Sequence, residues 1–305
     1  MRNPFRVLAL ITTVVLFGAG LASTTEASGT SQLGPRAGVK PIHQVGVQPK
    51  PNTLTVRSNG STGVVSPHPK VYLVFWGSQW SSDPAGAANA LTQFFKGLHG
   101  TPDTYDTILN QYCEGVPTGT SKCGTSGIHI QKPTKNILAG VWNDNATKAP
   151  KKATMAQIAQ EALNAAALFG NLTQAANLNS QYVIASPSGT HPDGFPSTGF
   201  CGWHSFTSAS FGNLAYTNLP YVPDLGLGVC TTISSPNAVD GLLSTETHEY
   251  SETVTDFWPS RGWNGSGGEI GDECVSLDGR ITLPTGTFDV QGEWSNSANK
   301  CGTHG

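Results

Sequence analysis

The sequence predicts a loop-rich, disulfide-bonded α/β domain with a single sheet and flanking helices. Three observations carry that expectation. Strand-like and helix-like runs alternate through the first two thirds of the chain beyond Lys70, the pattern of helices packed on one sheet. All six cysteines, an even number, lie beyond Lys70. Charged residues make up only 12% of the 305, while Gly (36) and Pro (20) are plentiful, a balance typical of exported, loop-rich proteins.

Taken in order, the chain opens with Arg2 and Arg6 ahead of an apolar run, Val7 to Ala22. Sixteen residues fall short of the roughly 20 that span a bilayer, so 1–27 reads as a cleaved secretory signal peptide, with small residues at Ala22 and Ala27 for cleavage. Residues 28–66, rich in Ser, Thr, Gly, Pro and Val without strand or helix period, read as a flexible leader or pro-segment. One globular domain is then expected over 67–305.

Within it, KVYLVFW from Lys70 is a dense β-branched and aromatic run, and hence a buried strand. Asp83-Pro84 caps a helix over 84–99 with Leu91, Phe94, Phe95 and Leu98 at helical spacing. A short helix is expected at 102–111. KNILAGVW from Lys135 is a second strand, and Ala153 to Gly170 an Ala-rich helix. Further strands are expected at 181–186 and 213–222. A helix should run from Ala238 to about Thr255, capped by Asn237. FDVQGEWS, 288–295, alternates as an edge strand does.

Six cysteines allow fifteen connectivities; local pairing gives Cys113–Cys123, Cys201–Cys230 and Cys274–Cys301. No C-x-x-C pair exists, which argues against a cysteine zinc cluster. A net charge of −3 with no basic block argues against nucleic acid as a partner and against a polybasic membrane contact. A G-x-S-x-G nucleophile turn and a phosphate-binding glycine loop are both absent from the sequence.

The chemistry concentrates at STETHEYSETVTD, Ser244 to Asp256. On a helix, positions i and i+4 share a face, so His248 and Glu252 can grip one cation. Glu249 then stands where a base can take a proton from water, the logic of the HExxH metallopeptidase helix with glutamate in place of the second histidine. This is what makes the expected arrangement zincin-like. Asp256 lies about 12 Å along a straight helix from His248, too far to share a metal. Glu269, in GGEIGDEC, can return over a Gly-rich turn as third ligand, and Asp272 can orient His248 from outside the ligand set. His191 and His204, in Gly-rich loops after the 181–186 strand, and Trp263 are possible substrate contacts. The same letters can equally form a solvated polar helix face. A glycosidase pair, Glu249 or Glu252 with Glu269, is also open.

HEYSETVTD, RGWNGSGGEIGDEC and VQGEWSNSANKC, in that order, resemble the C-terminal part of the EXORDIUM/phosphate-induced protein 1 family. VYLVFWGSQW and GFCGWHS resemble its earlier segments, and YCEGVPTGT and NLAYTNLPYVPDLG resemble secreted bacterial and fungal relatives. The resemblance runs from about Lys70 to Cys301 and implies an extracellular or wall-associated protein. Its pattern touches His248, Glu249, Glu252, Glu269, Asp272 and Cys274. It departs at Asp256, where many plant members carry asparagine.

The expectation is therefore a secreted, monomeric metal-dependent hydrolase, foremost a peptidase. His248, Glu252 and Glu269 would hold one divalent metal, zinc first, with calcium or manganese as alternatives. Glu249 would be the base, and an extracellular peptide or cell-wall polymer the partner. The alternatives are a non-catalytic extracellular protein of the EXORDIUM type and a glycoside hydrolase.

Overall fold

The computed structural model describes residues 32–41 and 53–305. The expected signal peptide, and residues 28–31 and 42–52 of the leader, lie outside the described residues. The domain is mixed α/β. Six strands form the main sheet: β1 (Ala37–Pro41), β2 (Lys70–Trp76), β3 (Leu138–Asp144), β4 (Ser180–Ala185), β5 (Phe200–Ala209) and β6 (Gly212–Leu219). Their order across the sheet is β1-β5-β6-β4-β2-β3. The four strands from β6 to β3 are parallel neighbours, whereas β5 runs antiparallel to β6 and β1 antiparallel to β5. Four two-stranded ribbons accompany this sheet among the described residues, so the expected single sheet holds only for the main layer.

The alternation in KVYLVFW sorts the core. Val71, Leu73 and Phe75 pack on one face of β2 and Val74 and Trp76 on the other, because successive strand side chains point to opposite sides. Helix α2 (Met155–Leu168) covers the Val74 face with Ile158, Ala162 and Ala166. Its N-terminus is set by a capping box: Gln157 N donates to Thr154 Oγ1 at 3.3 Å, and Thr154 N donates to Gln157 Oε1 at 2.9 Å. Helix α1 (Ala87–Gly97) and the site helix α4 (Asp240–Thr255) cover the opposite face. Leu91, Phe94 and Phe95 of α1 are fully buried, worth roughly 1.5–3 kcal/mol each. Asp83 accepts the amides of Ala87 and Ala88 at 2.9 Å each, but the helix starts at Ala87 with Gly86 in the N-cap position, three residues later than the Asp83-Pro84 start expected. A short helix α3 (Gln174–Asn177) precedes β4.

Several elements differ from expectation. The helix expected at 102–111 is a single 3₁₀ turn, Leu109–Gln111, because Asp103 accepts the Tyr105 amide at 2.9 Å and holds the preceding chain in a turn. Asn237 does not cap α4; its amide donates instead to Asp240 Oδ2 at 2.5 Å. The edge strand expected at 288–295 is buried and split: β7 (Asp278–Leu283) and β8 (Gly286–Gln291) form a hairpin packed on α4, and Glu293–Ser295 pairs with Lys300–Gly302.

The leader is built into the domain where it is described. Residues 37–41 form β1, Thr55–Val56 pairs with Trp263–Asn264, and Leu54, Val64 and Val65 enter the core. The cysteines form Cys113–Cys123, Cys201–Cys230 and Cys274–Cys301, which suits an oxidising compartment. Among the described residues, no helix is long and apolar enough to cross a membrane.

One buried acid outside the site gives a direct test of this packing. Burial pushes the carboxyl of Glu161 on α2 up to about 7; a hydrogen bond from Asn164 opposes the rise and the carboxylate of Asp144 adds to it. A carboxyl raised in the fold costs nothing below its ordinary value near 4.5 and costs in full above about pH 7. Glu161→Gln is therefore expected to raise stability at pH 8 by about 1–2 kcal/mol, after allowance for partial screening, and to leave it unchanged at pH 4. Urea unfolding of both chains at the two pH values checks this.

Candidate metal centre

Every residue of α4 is buried, including His248, Glu249 and Glu252 at 0% exposure, so the polar letters do not form a solvated face. The helix passes over β1, β5 and β6 and beneath the β7–β8 hairpin. It ends at Thr255, where Asp256 turns back to accept the amides of Ser260, Arg261 and Gly262 at 2.8, 2.9 and 2.5 Å. That cap starts the turn which returns 269–272 to the helix.

His248 Nε2 lies 3.1 Å from Glu252 Oε2 and 3.9 Å from Asp272 Oδ1. These three side chains form one group whose donor atoms all lie within 4.8 Å of one another. Asp272 is fixed from both sides: its amide donates to Glu252 Oε1 at 2.9 Å, and its Oδ2 accepts the Glu269 amide at 3.1 Å. The turn comes this close because residue 271 is glycine. A Cβ there would stand 2.6 Å from His248 Nδ1 and 3.0 Å from Glu252 Oε1.

A second group shares Glu252. His204 Nδ1 lies 3.3 Å from Glu249 Oε2 and 3.7 Å from Glu252 Oε2, and these three side chains also meet the 4.8 Å criterion. His204 was expected in a Gly-rich loop. It stands instead in the middle of β5, fully buried, because FCGWHSFTSA pairs along its length with β6 and Gly202 leaves room for Thr245 and Glu249 of the helix. Its Nε2 faces Glu269 Oε1 at 3.7 Å. Glu269 therefore stands beside His204, and Asp272 occupies the place beside His248 and Glu252 that was expected of Glu269. The remaining candidates fall elsewhere. His191 is exposed, with its amide bonded to Lys151 O. Trp263 is a core residue rather than a cleft wall: it is fully buried, its indole N–H donates to Cys113 O at 2.8 Å, and its ring packs edge-on against Tyr112.

Two residues outside the expected set hold the first group. Gln291, on β8, places its amide against His248 Nδ1, with Oε1 at 3.2 Å and Nε2 at 2.9 Å, and donates from Nε2 to Gly271 O at 2.9 Å. A ligating Nε2 requires Nδ1–H to donate to Oε1 at 3.2 Å; the shorter 2.9 Å contact from Gln291 Nε2 makes Nδ1 the acceptor and places the proton on His248 Nε2, facing Glu252 Oε2. Lys40 Nζ donates to Gln291 Oε1 at 2.7 Å and to Ser244 Oγ at 2.5 Å. The only signal for Gln291 lay in the alternation of FDVQGEWS. Lys40 had none, being one lysine among small residues of the leader.

The electrostatics call for a neutralising partner, either protons or a cation. Burial, then the neighbouring Glu252 and Glu246 carboxylates, hold the Glu249 carboxyl well above its ordinary range. Burial lifts Glu252 to about 8, and burial followed by Glu252 lifts Asp272 to about 7. Glu269 is raised by burial and then by Asp256. His204 is pushed down to about 3 by burial and by His248. Among the described residues, Glu249 Oε1, Glu252 Oε2, Glu269 Oε1 and His204 Nε2 have no hydrogen-bond partner. Buried carboxylates without partners are costly unless protons or a cation neutralise them, and imidazole with carboxylates suits a divalent ion.

The fold and site thus define a disulfide-bonded mixed α/β domain with a buried His/Glu/Glu group that can bind a metal ion. Compared with family models, curated proteins and solved structures, the chain matches none.

Proposed function

We propose that the chain is a secreted metal-dependent hydrolase acting on peptide bonds. The observation that carries this reading is the convergence of His248, Glu252 and Asp272, with Glu249 beside them on the same helix; His248, Glu249 and Glu252 are fully buried and the Asp272 side chain is 25% exposed. These three residues would hold one divalent ion. Zinc is the first candidate, and two carboxylate donors also suit manganese or calcium. The bound ion supplies Lewis acidity toward the scissile carbonyl.

Glu249 takes the proton of the attacking water on a carboxylate oxygen and returns it to the departing nitrogen. Burial holds that carboxyl above its ordinary range in the metal-free chain, and a bound cation would favour the ionised form that accepts the proton. His204, placed between Glu249 and Glu269, orients the Glu249 carboxylate through the 3.3 Å contact at Nδ1. The disulfides and the apolar N-terminal run support export. A second reading is a non-catalytic extracellular protein with a structural ion among His204, Glu249 and Glu252, favoured by the full burial of that group.

The test is metal analysis of the chain secreted through an oxidising pathway. About one divalent ion per chain is expected, together with slow hydrolysis of an unfolded protein that a chelator abolishes and zinc restores. A chain that is purified gently without an ion and takes up none on titration overturns the reading.

A further inference from the structure

We infer that residues 32–41 occupy the place of an extended polypeptide substrate along β5 and hold the site shut in the intact chain. The inference rests on the hydrolase reading and names its substrate class: unfolded polypeptide, recognised through its main chain.

The segment runs antiparallel along nearly all of β5. Ser208 N donates to Gln32 O at 3.1 Å and Gly34 N to Phe206 O at 2.8 Å. Leu33 bridges Thr207, Ala37 pairs with His204, Lys40 with Gly202 and Pro41 with Phe200. This is strand addition to a sheet edge, the mode by which many proteins bind extended peptides. Since β1 is the outermost strand, its departure leaves β5, with His204 at its centre, as an open edge.

The segment also ends on the catalytic group. The Lys40 backbone amide bonds to the Glu249 carboxylate, and Lys40 Nζ holds Gln291 and Ser244. With β1 in place, His204, His248, Glu249 and Glu252 have no exposure, so a substrate carbonyl reaches them only when the strand is displaced.

The segment is held by main-chain pairing and by one buried side chain, Lys40, whose Nζ lies 3.6 Å from Asp278 Oδ1 besides its bonds to Gln291 and Ser244. Gly34 lies so close to the Phe206 ring that a Cβ would meet it at 2.5 Å. Leu33 is 37% exposed and contributes little burial. The ion pair of Arg36 with Asp193 lies at the surface, where such pairs add little. Outside Lys40 the segment is held through its main chain, so another extended strand can take that place along β5.

The test uses the full chain with a site-specific protease sequence placed within 42–52, loaded with zinc and compared before and after the cut. Cutting is expected to speed zinc loss to a chelator and hydrolysis of an unfolded protein, each about tenfold or more, and a synthetic 32–41 peptide should reverse both. If the inserted sequence impairs folding, Lys40→Ala in the uncut chain serves instead, with faster zinc loss expected. Zinc loss that neither the cut nor Lys40→Ala alters overturns the inference. Faster zinc loss without hydrolysis keeps the closed strand and removes the hydrolase reading. If the chain binds no zinc, amide hydrogen exchange of 200–209 decides: faster exchange after the cut supports the removable strand, and unchanged exchange overturns it.

Discussion

Replacing Glu252 by glutamine is expected to abolish metal binding while the chain stays folded. Its Oε2 lies near both imidazoles, 3.1 Å from His248 Nε2 and 3.7 Å from His204 Nδ1. Both candidate ligand groups use Glu252, so both are lost whichever of them holds the ion. Glutamine preserves the shape and can still accept the Asp272 amide through its oxygen. The loss of affinity should exceed the ~10–100-fold that removal of an outer partner costs. Stability should move the other way. The substitution removes a buried carboxyl that ionises above about pH 8 against Glu249, Glu269 and Asp272, so the metal-free variant should unfold at the wild-type temperature or above it. Isothermal titration with zinc and thermal unfolding in chelator measure the two effects. A variant that binds one ion with wild-type affinity would remove Glu252 from the site.

The Glu249→Gln variant should behave differently: the ion stays and hydrolysis falls by ~10²–10⁴-fold, the range typical of a lost general base. The amide keeps a polar contact to His204 but cannot accept a proton. Measured on the chain with its leader strand cut free, this separates the readings. Loss of the ion together with activity would make His204, Glu249 and Glu252 the ligands and leave Glu249 no role as base. Unchanged behaviour in every assay would favour the non-catalytic protein.

How much of this was legible in the sequence follows from the range of the interactions. The pairing of His248 with Glu252 is local, set by helical period, and could be read directly. The strand Lys70–Trp76 and the helix Met155–Leu168 carry their own pattern and caps, and they form where expected. Which of Glu269 and Asp272 faces His248 depends on a turn whose path is set by the Asp256 cap and by the close approach of Gly271, neither of which has a periodic signature. His204 meets Glu249 across 45 positions of sequence, and its strand was obscured by Gly202 and Cys201. Strand β1 is held by pairing with β5 rather than by an apolar pattern of its own, so a run of Ala, Gly, Val, Lys and Pro read as leader.

The disulfides give the site a property that many small metalloproteins lack. Cys201–Cys230 ties the strand carrying His204 to the loop before α4, and Cys274–Cys301 anchors the chain just after Asp272. The donors are thus tied together by covalent bridges as well as by the packed core around them. Loss of metal should therefore be a reversible chemical event at constant fold rather than an unfolding transition. A reductant, by contrast, should disperse the donors and make metal loss permanent until the bridges re-form.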